Sequence, residues 1–304
     1  MGRGMKLAII CPVGPLDRYG YQHNHTIVLE NLSRFATRVY LCSTTRNRIH
    51  IGDLLSRFSN VQYLANEHTW FDLDSNGDEV FRIGRLEEAI NACLERCKQD
   101  GMDCAVQIHI NQYVQDPNRD HLRRVCQDML DRASPFEWLY KKYQIADRLF
   151  HTDTRVPWIL NLQIDNPYVI RADSIHHRNG QERYAIQSND FRFMDHVAIV
   201  DCGMEMTPQD LADKRNFVRG YEELAPGIRW GGFNWDNDLA YYVRKFNSKT
   251  MSSEPLDATG QALAAHSQSD FVSWTILHYY RGPTMRRRLA SLLRWHIAAR
   301  LPRG

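Results

Sequence analysis

The stretch Cys104-Ala-Val-Gln-Ile-His-Ile-Asn-Gln-Tyr-Val114 is a short apolar run that abruptly delivers His109, Asn111 and Gln112. Ala105, Val106, Ile108 and Ile110, led in by Gly101 and Asp103, read as a buried strand. Polar groups at the far end of such a strand fall at the carboxyl edge of an open α/β sheet, where these sheets take their ligands. A merely solvated turn is the plainer alternative. Tyr113 to Pro117 then leads towards a helix beginning near Asn118.

Upstream of this strand, elements alternate. Lys6 to Cys11 forms a first strand that carries no charge after Lys6, as a central strand should, and Pro12-Val-Gly-Pro15 breaks it into a loop. Ile27, Val28, Leu32 and Phe35 sit at helical spacing between about His25 and Ala36. Val39 to Cys42 is a second strand ending in the cluster Ser43-Thr-Thr-Arg-Asn-Arg48, and Val61 to Leu64 a third after a short helix over 53–58. Leu86, Ala89, Ile90, Cys93 and Leu94 share one face of a helix from Phe81 to Lys98. The resulting order, β-α-β-α-β-α-β, is that of a doubly wound α/β sheet flanked by helices.

Beyond about residue 115 the alternation fades. Helices are expected over 119–132 and 135–143, and strands over 157–164, 167–171 and 195–201. A further helix from Pro208 to about Glu223 has Thr207 as its N-cap, Pro208 in its first turn and Asp210 close behind. His176-His177 with Arg178-Asn-Gly180 reads as a hairpin tip. Residues 248–270 are polar and read as a partly mobile connector. This gives a main domain over 1–245, and a connector with a C-terminal helix over 246–304.

With 304 residues, 43% of them apolar, the chain can bury a sizeable core, and a net charge of +2 is too balanced for a nucleic-acid-binding surface along the whole chain. The seven cysteines show no Cys-x-x-Cys spacing and read as small buried hydrophobes of a reducing compartment. The N-terminal apolar run is too short for a signal peptide, and no run reaches the roughly 20 residues that span a bilayer. A cytoplasmic protein is expected.

The order of elements, the strand tip at 109–113, the segment Val39–Thr44 and the segment Ile199-Val-Asp-Cys-Gly-Met204 with Thr207-Pro208 resemble family-2-like glycosyltransferases with a GT-A fold. The resemblance spans roughly residues 5–225 and implies a GT-A-like, mostly parallel mixed sheet. It also implies transfer of a sugar from a nucleotide-sugar donor to a glycan or lipid-linked acceptor of the bacterial surface-glycan type, with inversion. It makes Pro12, Val13, Ser43, Arg46, Arg85, His109 and Asn111 candidates for holding the nucleotide-sugar.

In that family the strand tip carries Asp-x-Asp, which holds a divalent cation against the pyrophosphate. Here the tip reads His109-Ile-Asn111, and Gln112 replaces the following acid. A hard cation such as Mg²⁺ wants anionic oxygen, which this trio lacks. Three readings stay open. Mn²⁺, Zn²⁺ or another softer divalent cation is held by His109 and Asp201. Alternatively the mechanism is metal-independent, and cations such as Arg46, Arg48 or Arg85 neutralise the leaving diphosphate. Or the fold has lost its chemistry and only binds nucleotide or carbohydrate. An inverting transfer also needs a carboxylate to take the acceptor's proton, and Asp165, Asp190 and Asp201 lie where such a base falls. Each of the three alone reads as an ordinary turn or capping aspartate.

Two further segments stand out. Trp230-Gly-Gly-Phe-Asn-Trp235 suits either a sugar-stacking loop or aromatic anchors about a turn, while His23 and His25 read as loop residues before a helix. Residues 283–303 place Leu289, Leu292, Leu293, Ile297 and Leu301 on one helical stripe beside six arginines and no acid. Such a helix either covers the core or lies peripherally on the anionic inner face of a membrane. Nucleic acid is the weakest candidate partner.

Overall fold

In the computed structural model the described residues are 4–13, 21–43, 52, 55–65, 71–73, 79–81, 83–145, 147–171, 174–179, 183–184, 187–188, 198–202 and 252–266. The first half alternates as expected. Strand β1 (Leu7–Pro12), helix α1 (Tyr21–Phe35), β2 (Arg38–Ser43) and β3 (Val61–Ala65) come first. A small pair, β4 (Phe71–Leu73) and β5 (Glu79–Phe81), precedes α2 (Ile83–Gln99) and β6 (Cys104–Gln107). Then follow β7 (Gln112–Val114), α3 (Asp116–Asp131), β8 (Phe136–Ile145), β9 (Arg148–Asn161), β10 (Tyr168–Arg171) and β11 (Ser174–His177). The two-residue strands β12 (Arg183–Tyr184) and β13 (Gln187–Ser188), then β14 (Ala198–Asp201) and α4 (Ala258–His266), complete the described elements.

The main sheet runs β3-β2-β1-β6-β9-β8-β14-β7, with β13 paired to β9. Its first four strands are parallel; β9 is antiparallel to both β6 and β8, and β14 lies parallel to β8 and antiparallel to β7. Strands buried on both faces read as continuous apolar runs, and β1 is one: Leu7 to Cys11 are all fully buried. Alternate residues serve two cores. Leu7, Ile9, Val39, Leu41, Cys104 and Val106 pack with Val28, Leu29 and Leu32 of α1 and Leu122, Cys126 and Met129 of α3. Ala8, Ile10, Tyr40 and Ala105 pack with Ala89, Ile90, Cys93 and Cys97 of α2. The seven cysteines are buried in these layers and none is joined in a disulfide.

The ends of α2 and α3 use one device. Met102 N–H bonds the Cys97 carbonyl and Gly101 N–H that of Lys98, a left-handed C-terminal cap with Gly101 at φ 65°. At the end of α3, Ser134 and Ala133 N–H bond the carbonyls of Met129 and Leu130, and Ala133 takes φ 51° without a glycine's freedom.

Three expectations change. The helix expected over 135–143 is instead the first eight residues of β8, a ten-residue strand. Phe136, Trp138, Tyr140 and Tyr143 favour a pleated, half-buried surface, and pairing with β9 overrides any local helical tendency. The strand expected from residue 157 starts at Arg148, because β9 extends the hairpin with β8. The strand expected over 105–110 ends at Gln107, and Gln112 to Val114 form a separate short strand, β7, paired with β14. Of the hairpin expected at 176–180, β11 and β12 are antiparallel with Arg178 and Asn179 in the turn after β11, and Gly180 lies outside the described residues.

Residues 252–266, within the stretch expected to be a polar connector, are packed on the sheet. Lys142 Nζ donates to Glu254 at 2.6 Å and Ser252 N–H to the Leu149 carbonyl at 2.8 Å. Asp257 accepts from Gly260 N–H at 2.9 Å, capping α4, and from Asp116 N–H at 2.8 Å, at the start of α3. Asn31 of α1 donates to Thr259 Oγ1 and to the Val114 carbonyl, and accepts from Val114 N–H. Tyr113 donates to Gln144, whose amide in turn donates to the Gly260 carbonyl. A Cβ on Gly260 would sit 2.6 Å from the Tyr113 hydroxyl, so only glycine allows this close approach. Among the described residues, no helix is long and apolar enough to cross a membrane.

Candidate functional site

The parallel register sets one edge. Ile10 pairs with Gln107 and Pro12 with Cys42, so Pro12-Val13, Ser43 and the turn beginning at Ile108 leave adjacent strands at their carboxyl ends. Val13 N–H bonds the Cys42 carbonyl, and Ile108 N–H that of Ile10. Strand β14 runs parallel to β8, which itself runs parallel to β6 across β9, so Asp201 ends its strand at this same edge.

At that edge a polar cluster closes around Asp201. Asn111 Nδ2 donates to Asp201 Oδ1 at 3.1 Å, and Gln112 Nε2 to Asp201 Oδ2 at 3.0 Å. Gln112 Oε1 accepts from His109 N–H at 3.0 Å, and Cys202 N–H donates to the Asn111 carbonyl at 2.9 Å. The His109 ring stands 3.1 Å through Nε2 from Gln107 Nε2 and 5.1 Å, centroid to centroid, from Trp158. Lys141 Nζ lies 3.7 Å from Asp201 Oδ2 and 5.0 Å above the Trp158 ring. Gln112 and Trp158 are buried, while His109 and Asn111 remain partly exposed.

The candidates therefore divide. His109, Asn111 and Asp201 come together, and Pro12, Val13 and Ser43 share their edge. Pro12 and Val13 are buried. Asp165 is not brought there. Asn161 of the antiparallel β9 pairs with Cys104, the first residue of β6, so the chain after it emerges at the opposite edge. Gln163 bonds Asp103 there, and Asp165 stands 98% exposed, 3.6 Å from Arg178. A sheet several residues deep separates it from His109. Arg46, Arg48, Asp190, the helix expected over 208–223, the segment 230–235 and the tail 283–303 lie outside the described residues. Ser43 and Arg85 are described as backbone in β2 and α2, without their side chains.

Lys141 and Trp158 are the members that the sequence did not single out. Lys141 fell in a presumed helix beside Lys142, and nothing local distinguishes the two lysines. The available signal was the aromatic run from Phe136 to Tyr143, which marks a strand.

The donor set bears on the metal that the resemblance implies. Both Asp201 oxygens accept amide N–H groups, with an ammonium nearby, and Asn111 turns its amide nitrogen to Asp201. Among the described residues, no three His, Cys, Asp or Glu side chains gather in a way that could hold a metal ion. These residues do not fit a divalent cation held by carboxylates.

A parallel Rossmann-like half, a mixed continuation and helices on both faces are now in view. The fold is a mixed α/β sheet, parallel over its first four strands and flanked by helices, which is the architecture that the resemblance implies. No family model matches the chain, and no curated protein matches it. Similar solved structures include residues 1–349 of S. aureus TarS, 11% identical over 97% of this chain and 90% of that one, at a TM-score of 0.38. TarS 1–349 is also solved in complex with UDP and with UDP-GlcNAc. The 4-diphosphocytidyl-2C-methyl-D-erythritol synthase of Anaerococcus prevotii is 11% identical over 79% of this chain and 83% of that one, at 0.33. Likenesses this distant say nothing about substrate or activity.

Proposed function

We propose that the protein is a glycosyltransferase that moves a sugar from a nucleotide-sugar donor to a glycan or lipid-linked acceptor. The observation that carries this reading is the polar turn 109–112, fixed by Asp201 from 90 residues away, at the carboxyl edge shared with Pro12 and Ser43. The nucleotide lies over the ends of β1 and β2, and the diphosphate near His109 and Asn111. In the reaction the acceptor oxygen bonds to the anomeric carbon while that carbon's bond to the diphosphate breaks. The electron pair leaves on the diphosphate, and the hydroxyl proton passes to a carboxylate base, with inversion. Asp190 is the candidate for that base. The geometry favours a positioning role for Asp201, whose oxygens are both engaged, and Asp165 faces the opposite edge.

Isothermal titration against UDP, GDP, CDP and ADP, each in chelator and with Mn²⁺, tests the donor class, and release of sugar from the matching nucleotide-sugar tests turnover. Saturable binding of one diphosphate with turnover is expected; no binding to any of them sinks the reading. Binding without turnover would favour a second reading, a non-catalytic nucleotide-binding protein, which the engaged Asp201 carboxylate and the missing acids at 109–112 also support. The tail 283–303 is proposed to give reversible affinity for anionic membrane. Flotation with anionic and neutral vesicles should separate the full chain from one ending at Gly282, and equal flotation would overturn that role.

A further inference from the structure

We infer that Lys141 supplies the positive charge that meets the donor's diphosphate, so that the anion is held in a metal-free subsite formed by Lys141, Trp158, His109 and Asn111. This rests on the nucleotide-sugar reading for the identity of the anion, though not for the existence of the subsite. Four observations converge. The ammonium stands at the edge where the polar turn lies, with its side chain only 12% exposed. Asp201 and the Trp158 ring face flank it at 3.7 Å and 5.0 Å, and so fix a flexible side chain in one place. Asp201 is itself held by two amides and cannot swing away to follow the lysine.

The third observation is the backbone. Register between β8 and β9 shifts between Tyr140 and Lys142, so Lys141 falls at the irregularity while it pairs with Ile199 on β14. Irregularities of this kind re-aim a side chain and recur beside active sites. The neighbouring Lys142 is spent on Glu254 at 2.6 Å, which leaves the two lysines with different tasks. The fourth is Trp158, fully buried next to His109 and Lys141, whose indole N–H has no hydrogen-bond partner. A buried donor without an acceptor is costly, and an anion oxygen would satisfy it.

The disagreement between the donor set and a metal thus has a physical resolution. A fixed ammonium in a partly buried site offsets charge developing on a leaving diphosphate, as a cation would, without carboxylate ligands. Lysine acts here as a point charge and not as a bidentate fork.

Titration of the full-length protein with inorganic pyrophosphate in excess chelator tests this. The wild type should bind, with affinity falling as salt rises. Lys141→Met should weaken binding by about tenfold or more, and Lys141→Arg should recover most of it. Near-ultraviolet circular dichroism checks that each variant keeps its tertiary packing. Absence of binding by the wild type in chelator overturns the inference without any variant, as does binding that appears only with Mn²⁺ or Mg²⁺. Unchanged affinity in folded Lys141→Met also overturns it. If pyrophosphate binds through Lys141 but no nucleotide-sugar is turned over, the transferase reading fails and the subsite stands. Turnover that is indifferent to Lys141 has the opposite meaning.

Discussion

The parallel half of the sheet and its mixed half are built on different principles. Strands β1, β2 and β6 are short apolar runs buried on both faces, with alternate residues feeding two cores. Strands β7, β8 and β14 carry Gln112, Lys141, Lys142, Gln144 and Asp201, and are tied together by side-chain hydrogen bonds as much as by apolar packing. One half is a scaffold whose stability comes from burial. The other spends buried polar groups on positioning a turn and docking a distant segment. Damage to the first should therefore read as stability, and damage to the second as binding.

The largest stability effect should come from the parallel half. Ile9→Ala removes a fully buried side chain between α1 and α3 and should cost roughly 2–5 kcal/mol in urea unfolding. Pyrophosphate affinity of the remaining folded protein should be unchanged; a matching loss of affinity would erase the distinction between the halves. Gly260→Ala should cost roughly 1–3 kcal/mol, because its Cβ meets the Tyr113 hydroxyl at 2.6 Å and Leu256 Cδ2 at 2.9 Å. In a Tyr113→Phe background the same change should cost less, and a double-mutant cycle measures that coupling.

Asp201→Ala leaves the Asn111 and Gln112 amides without their acceptor. It should cost about 1–3 kcal/mol and lower pyrophosphate affinity, whereas loss of stability alone would make the clamp purely structural. Ala133→Gly should act the other way, stabilising by about 0.5–1 kcal/mol, since glycine takes the left-handed cap of α3 without strain. No gain in the unfolding midpoint would mean that tertiary contacts already absorb the strain.

Acid sensitivity gives the finest test. Burial works against the Asp100 charge, but hydrogen bonds from Tyr40 and Arg38 and the nearby Arg96 hold its carboxyl below the usual range. A lowered folded-state value means that this contribution is complete above the unfolded carboxylate range, near 3.9, and is lost as pH falls through the folded value. Asp100→Asn should therefore lose less stability than the wild type between pH 5 and pH 2, on the order of a few tenths of a kcal/mol. Equal acid sensitivity of the two proteins would remove Asp100 from the account.

Residues 6–11, 39–42 and 104–107 were legible because a strand buried on both faces must be apolar throughout, whatever its neighbours. The helices α1 and α2 were legible from apolar spacing, to within a few residues at their ends. The same reasoning failed at 136–145. A strand that mixes aromatics with lysines has no single period, and only its partners β9 and β14 decide its form. The site was half legible. His109, Asn111 and Asp201 showed as polar groups at strand ends, and they do meet at one edge.

The sequence by itself determined the parallel scaffold, the position of the polar tip and the absence of acids from it, since these depend on residue type and local period. Only the tertiary structure decided that Asp201 holds that tip, that Asp165 faces the opposite edge, that Lys141 and not Lys142 joins the site, and that residues 252–266 are packed. Each of these depends on strand direction and register between segments tens of residues apart. Antiparallel β9 turns its end away from the site, and the shift in β8 singles out one lysine of two, and neither leaves a mark in local composition.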